Sequence, residues 1–245
     1  MQNESKVKDL GNGKFRKKSV KPTTFGYQLS DEQKAAKRVA LDNTITFLTG
    51  KPGTSKTFLA AQIGLDGVIS KEYGKLIVTR PMVDVGNSMG FLPGEAFSFT
   101  EGKTAPYLQP VLQQMYKLRS KEEITAMITK GTIEVVPVQF VRGLNFEDCI
   151  VIVDEAANLT HEEAKAIITR VGKDSKLIFT SDYNQIDLKN KNISLSNLVD
   201  KISELDGVGV YNLTENYRHP LAIEIMELIQ SEDDKAKARR KEQEK

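Results

Sequence analysis

The chain has one cysteine and two histidines in 245 residues. That supply rules out a disulfide framework and argues against a structural zinc site, which wants four such ligands. No apolar stretch approaches the roughly 20 residues that span a bilayer, and the polar first residues lack the apolar centre of a signal peptide. A cytoplasmic location without a membrane partner is therefore expected. No internal repeat is present. What is there, 39% hydrophobic and 28% charged residues, suffices to bury the core of one large domain without covalent staples. The single Cys149 lies in the apolar run Cys149-Ile150-Val151-Ile152-Val153 and reads as a packing residue of a central parallel strand, with no redox or metal role.

Charge is unevenly spread beneath a formal net charge of +2. Residues 1–22 carry seven basic side chains (Lys6, Lys8, Lys14, Arg16, Lys17, Lys18, Lys21) against Glu4 and Asp9, and residues 231–245 carry six against five. The segment between them is mildly acidic. The ends read as solvated, flexible tails, with electrostatic binding of nucleic acid as the alternative. The expected organisation is a basic segment at 1–24, a domain at 25–230 and a charged tail at 231–245.

Apolar strand-like runs alternate with helical segments, the pattern of an α/β fold with a mostly parallel sheet flanked by helices. The runs are Thr44 to Leu48, Leu76 to Thr79, Ile133 to Val136, Ile150 to Val153, Leu177 to Thr180 and Val208 to Tyr211. Polar clusters follow the strand ends, where open α/β sheets place their ligands. Pro81 to Pro106, rich in Gly and Pro, reads as a long irregular stretch with a functional or mobile role.

The most specific feature is Gly50-Lys51-Pro52-Gly53-Thr54-Ser55-Lys56-Thr57, which matches the phosphate-loop pattern G-x-x-x-x-G-K-[ST] except for Ser55 where glycine is expected. In such a loop, inward-turned backbone N–H groups backed by a helix N-terminus cradle phosphate oxygens. Lys56 supplies charge for the outer phosphates, and Thr57 a hydroxyl for Mg²⁺. A strand before the loop and the helical run Phe58 to Ile63 after it give the required context. Should φ be positive at Ser55, its Cβ costs about 1 kcal/mol.

Two further strand ends complete the pattern. Asp154 and Glu155 follow Ile150 to Val153, and an apolar strand ending in two carboxylates suits a Mg²⁺-nucleotide site: Asp154 holds the metal's water shell and Glu155 orients and deprotonates the attacking water. Thr180-Ser181-Asp182-Tyr183-Asn184-Gln185 follows the next buried strand, placing Asp182 and Gln185 to meet the γ-phosphate or its water. Thr160-His161-Glu162-Glu163 reads as a capping box, which leaves His161 on the surface of a first helical turn.

From Leu29 to Glu227 the chain resembles the PhoH family of ATPases, itself similar to the first RecA-like lobe of superfamily 1 helicases. The resemblance rests on the loop, on Asp154-Glu155-Ala156 with Asn158, and on Ser181-Asp182 with Gln185 and Asp187. It rests also on the less generic stretches Thr79-Arg80-Pro81, Gly90 to Glu95, Lys103 to Tyr107 and Arg218-His219-Pro220-Leu221. Leu29-Ser30-Asp31-Glu32-Gln33 is similar to the helicase Q-motif, whose glutamine reads adenine, and Gln33 precedes Gly50 by 17 positions. Ser55 and Ser181 depart from the family pattern at two glycines. They put turnover in question more than nucleotide identity, with Ser55 narrowing the cradle and Ser181 needing only a negative φ.

The resemblance implies ATP and Mg²⁺ as ligands and a ring of copies, a hexamer, as the assembled form. It also implies single-stranded RNA or DNA as a partner, and its compact form resembles the phage-borne members. Asn216-Tyr217-Arg218 matches a helicase motif whose arginine reaches the γ-phosphate. Arg218 then either folds back in cis or enters a neighbour's site, and ring-forming relatives favour the neighbour. Arg80 and Arg142 take positions that face nucleic acid or phosphates in helicase-like relatives, with a partly buried ion pair as the alternative. Lys103 and Tyr107 are candidate phosphate and stacking contacts for a single strand. The expected function is Mg²⁺-dependent ATP hydrolysis. The alternative is a nucleic-acid-binding module in which ATP sets only the oligomeric state.

Overall fold

The computed structural model describes residues 27–81, 105–182 and 195–243. Residues 1–24, Lys103, Gln185 and most of the stretch from Pro81 to Pro106 lie outside these, as do the side chains of Tyr107 and Arg142.

Six strands form one sheet: β1 (Ile45–Gly50), β2 (Lys75–Thr79), β3 (Ile133–Val135), β4 (Cys149–Val153), β5 (Lys176–Ser181) and β6 (Val208–Leu213), in the order β3-β2-β4-β5-β1-β6. Every pairing is parallel. The expected six apolar runs are thus all strands. Parallel pairing requires crossovers, and helices supply them on both faces.

Side-chain alternation splits the core in two. On one face Leu48, Leu76, Val78, Ile150, Ile152 and Ile178 pack with α1 (Asp31–Asp42), α2 (Lys56–Ile69), α3 (Ala105–Leu118) and α4 (Lys121–Thr129). On the other, Phe47, Ile77, Val151, Val153, Leu177 and Phe179 pack with α5 (His161–Ile168) and α6 (Leu195–Ile202). Phe47 and Phe179 stack there at 4.7 Å between ring centroids. Helix α2 is buried along nearly its whole length, which explains why apolar residues dominate its sequence on every side. Its one buried acid, Asp66, is paired with Lys37 of α1 at 2.7 Å.

Local chemistry sets the helix starts. Ser30, Ser120 and Thr160 each close a capping box with the residue three positions on, Gln33, Glu123 and Glu163. His161 is exposed in the first turn of α5, as its sequence context predicted. Cys149 is buried, and burial, then the charge of Asp148, push its thiol up to about 12, so it stays protonated and inert. At the C-terminal side, α7 (Pro220–Gln243) runs through most of the stretch expected to be a tail. Its Ala, Glu, Lys and Arg content favours helix.

Candidate nucleotide-binding site

Strand order decides what meets what. Neighbours β2-β4-β5-β1-β6 set five C-terminal ends side by side, and these lead into Arg80, Asp154, Asp182, the phosphate loop and Asn216 in turn. A cavity of about 850 Å³ opens there, lined by residues that include Lys56, Thr57, Glu155, Asp182 and Arg218. The binding crevice of an open α/β sheet forms at this edge.

The loop has the shape its sequence predicts. Gly50 adopts φ +144°, and a Cβ there would stand 2.3 Å from the Leu213 carbonyl oxygen. Gly53 adopts φ +92°, and a Cβ there would stand 2.5 Å from Asn216 Oδ1. Thr54 Oγ1 donates to Lys51 O at 2.9 Å, closing the turn. Lys56 Nζ donates to Gly50 O (2.7 Å) and Lys51 O (2.9 Å), so its charge rests over the loop's own carbonyls. Burial holds that ammonium below its ordinary range, against the opposing pull of Asp182, Glu155 and Asp154.

Ser55 has φ 64°, in the left-handed region, so the anticipated cost of about 1 kcal/mol applies. Its hydroxyl accepts a hydrogen bond from Gln33 Nε2 at 2.8 Å. Ser181 lies in β5 outside the positive-φ set, which is the backbone expected of it.

Asp154 is 2% exposed and accepts through Oδ1 from Thr57 Oγ1 (2.7 Å) and Thr180 Oγ1 (2.6 Å). A hydroxyl and a carboxylate paired across the cavity floor are the oxygen donors that Mg²⁺ takes in nucleotide sites, so the residues fit that ion. Glu155 sits at φ 53°, a strained position for a non-glycine residue beside a site. Burial, then Asp154, push its carboxyl above the usual range, while Arg80 and Lys56 pull it back. A carboxylate so raised is a better proton acceptor. Arg80 stands 3.6 Å from both Asp154 Oδ2 and Glu155 Oε1. Of the two readings open to Arg80, the structure has the ion pair.

The segment after β6 is fastened to the loop of the same chain. Asn216 Nδ2 donates to Pro52 O (3.0 Å), Tyr217 N donates to Gly53 O (3.0 Å), and Asn216 Oδ1 accepts from Arg218 N (3.0 Å). Glu32 of α1 clamps the same segment, accepting from Thr214 N (2.7 Å), Thr214 Oγ1 (2.6 Å) and Glu215 N (2.9 Å). Arg218 consequently lines its own chain's cavity, with Nη1 donating to Met226 Sδ at 2.7 Å. Edge strand β6 pairs with β1, the strand that feeds the loop, and that adjacency brings Arg218 home.

The cavity thus gathers Gln33, the loop, Glu155, Asp182 and Arg218, above Asp154. Thr180 is a site residue that the sequence reading passed over. It lies one position beyond the register pair Val153 with Phe179, so a strand-end hydroxyl beside Asp154 was the available signal.

A six-stranded parallel sheet with this loop after β1 and paired carboxylates after β4 defines a P-loop NTPase domain of RecA-like type. The family profile described as "PhoH-like protein" matches residues 27–230, and the chain belongs to that family. It is 38% identical over 186 residues to the PhoH-like protein of Synechocystis sp., covering 75% of this chain and 56% of that one. It is 34% identical over 213 residues to the PhoH-like protein of Bacillus subtilis, covering 86% and 64%. The chain therefore spans a little over half the length of these curated relatives. Among solved structures, a Bacteroides Pif1 bound to ssDNA is similar at 13% identity and a TM-score of 0.39, over 82% of this chain and 46% of that chain. No helix among the described residues is long and apolar enough to cross a membrane.

Proposed function

We propose that this chain binds and hydrolyses ATP with Mg²⁺ in the cytoplasm. The observation that carries the reading is the convergence of Lys56, Thr57, Glu155, Asp182 and Arg218 on one cavity. Phosphoryl transfer asks mainly for positioning and for charge aimed at the γ-phosphate, and these residues supply both. Lys56 leaves the carbonyls of Gly50 and Lys51 for the outer phosphates. Thr57 and Asp154 would hold Mg²⁺, which neutralises phosphate charge. Glu155, with its raised carboxyl, takes the proton of the attacking water. Arg218 leaves Met226 and stabilises the transferring group in cis, with Asp182 and Gln185 sensing the phosphate. Family membership supports a ring of copies and a single-stranded nucleic-acid partner, for which Lys103, Tyr107 and Arg142 are the candidate contacts.

Steady-state phosphate release, with and without single-stranded RNA, tests this. Wild-type turnover should exceed that of Lys56→Ala and Glu155→Gln by about 100-fold or more. Turnover no greater than that of Lys56→Ala removes the enzyme reading. It would leave the alternative, an ATP-set nucleic-acid module, whose support is the strained backbone at Ser55.

A further inference from the structure

Helix α7 carries an apolar stripe that nothing among the described residues covers. Leu221, Ile225, Leu228 and Ile229 follow the i, i+4, i+7, i+8 spacing of a helix face that packs, yet they are 46–62% exposed. On the other side of the helix Ile223 and Met226 are half-buried, and Met226 Sδ accepts from Arg218 Nη1. The stripe bares roughly 400 Å² of apolar surface, an amount that marks an interaction site when it is contiguous.

Charge around the stripe is of one sign. Residues 220–234 include five acids, Glu224, Glu227, Glu232, Asp233 and Asp234, and no lysine or arginine. Glu224, four positions before Leu228, borders the stripe, and Glu232, four positions after it, closes the far end. Glu224 and Glu227 are exposed and have no ion pair among the described residues.

The complement lies in the same chain. Residues 1–22 hold seven basic side chains against two acidic ones, and Phe15 stands inside their densest run, Lys14-Phe15-Arg16-Lys17-Lys18. The described chain begins at Tyr27, which lines the cavity with Tyr217 and Arg218, and Tyr217 Oη stands 3.0 Å from Ser30 Oγ. Helix α7 starts three residues after Tyr217, at Pro220. The chain from Phe15 to Ser30 reaches up to about 50 Å and the stripe is only about 12 Å long, so the connection spans it with slack.

We propose that the basic segment around Phe15 docks on α7 of its own chain, with the Phe15 ring in the stripe at 221–229 and Lys14, Arg16, Lys17 and Lys18 among the five acids. Area favours this occupant over a second copy. The stripe is about half of the roughly 800 Å² per partner that a specific interface between separate proteins buries. A tethered segment needs far less, because linkage sets its effective concentration in the millimolar range. Docking of this kind is independent of nucleotide binding and goes beyond it.

The sequence has no tryptophan, so Phe15→Trp places a sole reporter in the full chain. Its emission should be blue-shifted from that of tryptophan in water. Ile225→Ser with Leu228→Ser, at two exposed positions, should return it to the water value. Glu224→Lys with Glu227→Lys leaves the stripe intact and should shrink the shift, as should salt near 1 M, where the Debye length is about 3 Å. Carbodiimide coupling of lysine to carboxylate should join residues 14–18 to residues 224–234 in peptides from the monomer band of a denaturing gel. Emission at the water value in the Phe15→Trp chain overturns the proposal. A blue shift that survives both pairs of α7 substitutions overturns it too, since Phe15 is then seated elsewhere. Links confined to the dimer band give the stripe to a neighbouring copy's segment and overturn docking within the chain.

Discussion

Thr180→Val removes one oxygen from the floor of the cavity and changes almost nothing else. Thr180 is 1% exposed, valine has nearly its shape, and no void is opened. What is lost is the 2.6 Å bond to Asp154 Oδ1, a carboxylate that is itself 2% exposed. A hydrogen bond to a buried charge contributes about 1.5–3 kcal/mol, and Asp154 keeps only Thr57 Oγ1 as a donor to Oδ1, with Arg80 at 3.6 Å from Oδ2. A loss of about 2 kcal/mol in a domain this size lowers Tm by roughly 4–8 °C. The functional effect is separate: without its second donor the carboxylate is free to rotate, and losing such a supporting partner costs about 10–100-fold in metal affinity. Circular dichroism melts measure the first effect, and the Mg²⁺ concentration giving half-maximal phosphate release measures the second. Thr180→Ser restores the donor and should recover Mg²⁺ dependence to within about twofold while giving up some packing. The reasoning is refuted if Thr180→Val melts with wild type and its Mg²⁺ dependence is unchanged, since Asp154 would then need no second donor.

The cis role proposed for Arg218 predicts that mixing Arg218→Ala chains with Glu155→Gln chains restores no ATPase activity, each variant alone being down by about 100-fold or more. Phosphate release above the sum of the separate populations would put the arginine in a neighbour's site. Lys176, 5% exposed, donates to Ala40 O, Leu41 O and Asn43 O at the end of α1, and burial lowers its ammonium from 10.5 to about 8. Between those two values the unfolded chain holds the extra proton, so this group makes stability rise with pH from about 8 to 10.5, by up to about 3 kcal/mol. Denaturant unfolding of wild type and Lys176→Met across that window should show the rise in wild type alone; parallel curves would disprove it.

Strand ends and the phosphate loop were legible because each is announced within a few residues. Ile150 to Val153 followed by Asp154-Glu155 carries an apolar run, its stop and its chemistry in one stretch, and Thr160 to Glu163 carries a helix start in four. Contacts between elements far apart in the chain were not announced that way. The Gln33 bond to Ser55 spans 22 positions, and that of Asn216 to Pro52 spans 164. Both exist because α1 and β6 lie on the same edge as β1, a placement set by strand order and not by any local pattern. The same order settles what kind of site this is. With β4 and β5 between β2 and β1, Asp154 is one strand from Arg80 and two from Lys56, so its carboxylate is shared by a guanidinium on one side and the loop's threonine on the other. Arg80 thus stands among the groups that fix the charge at Asp154 and Glu155.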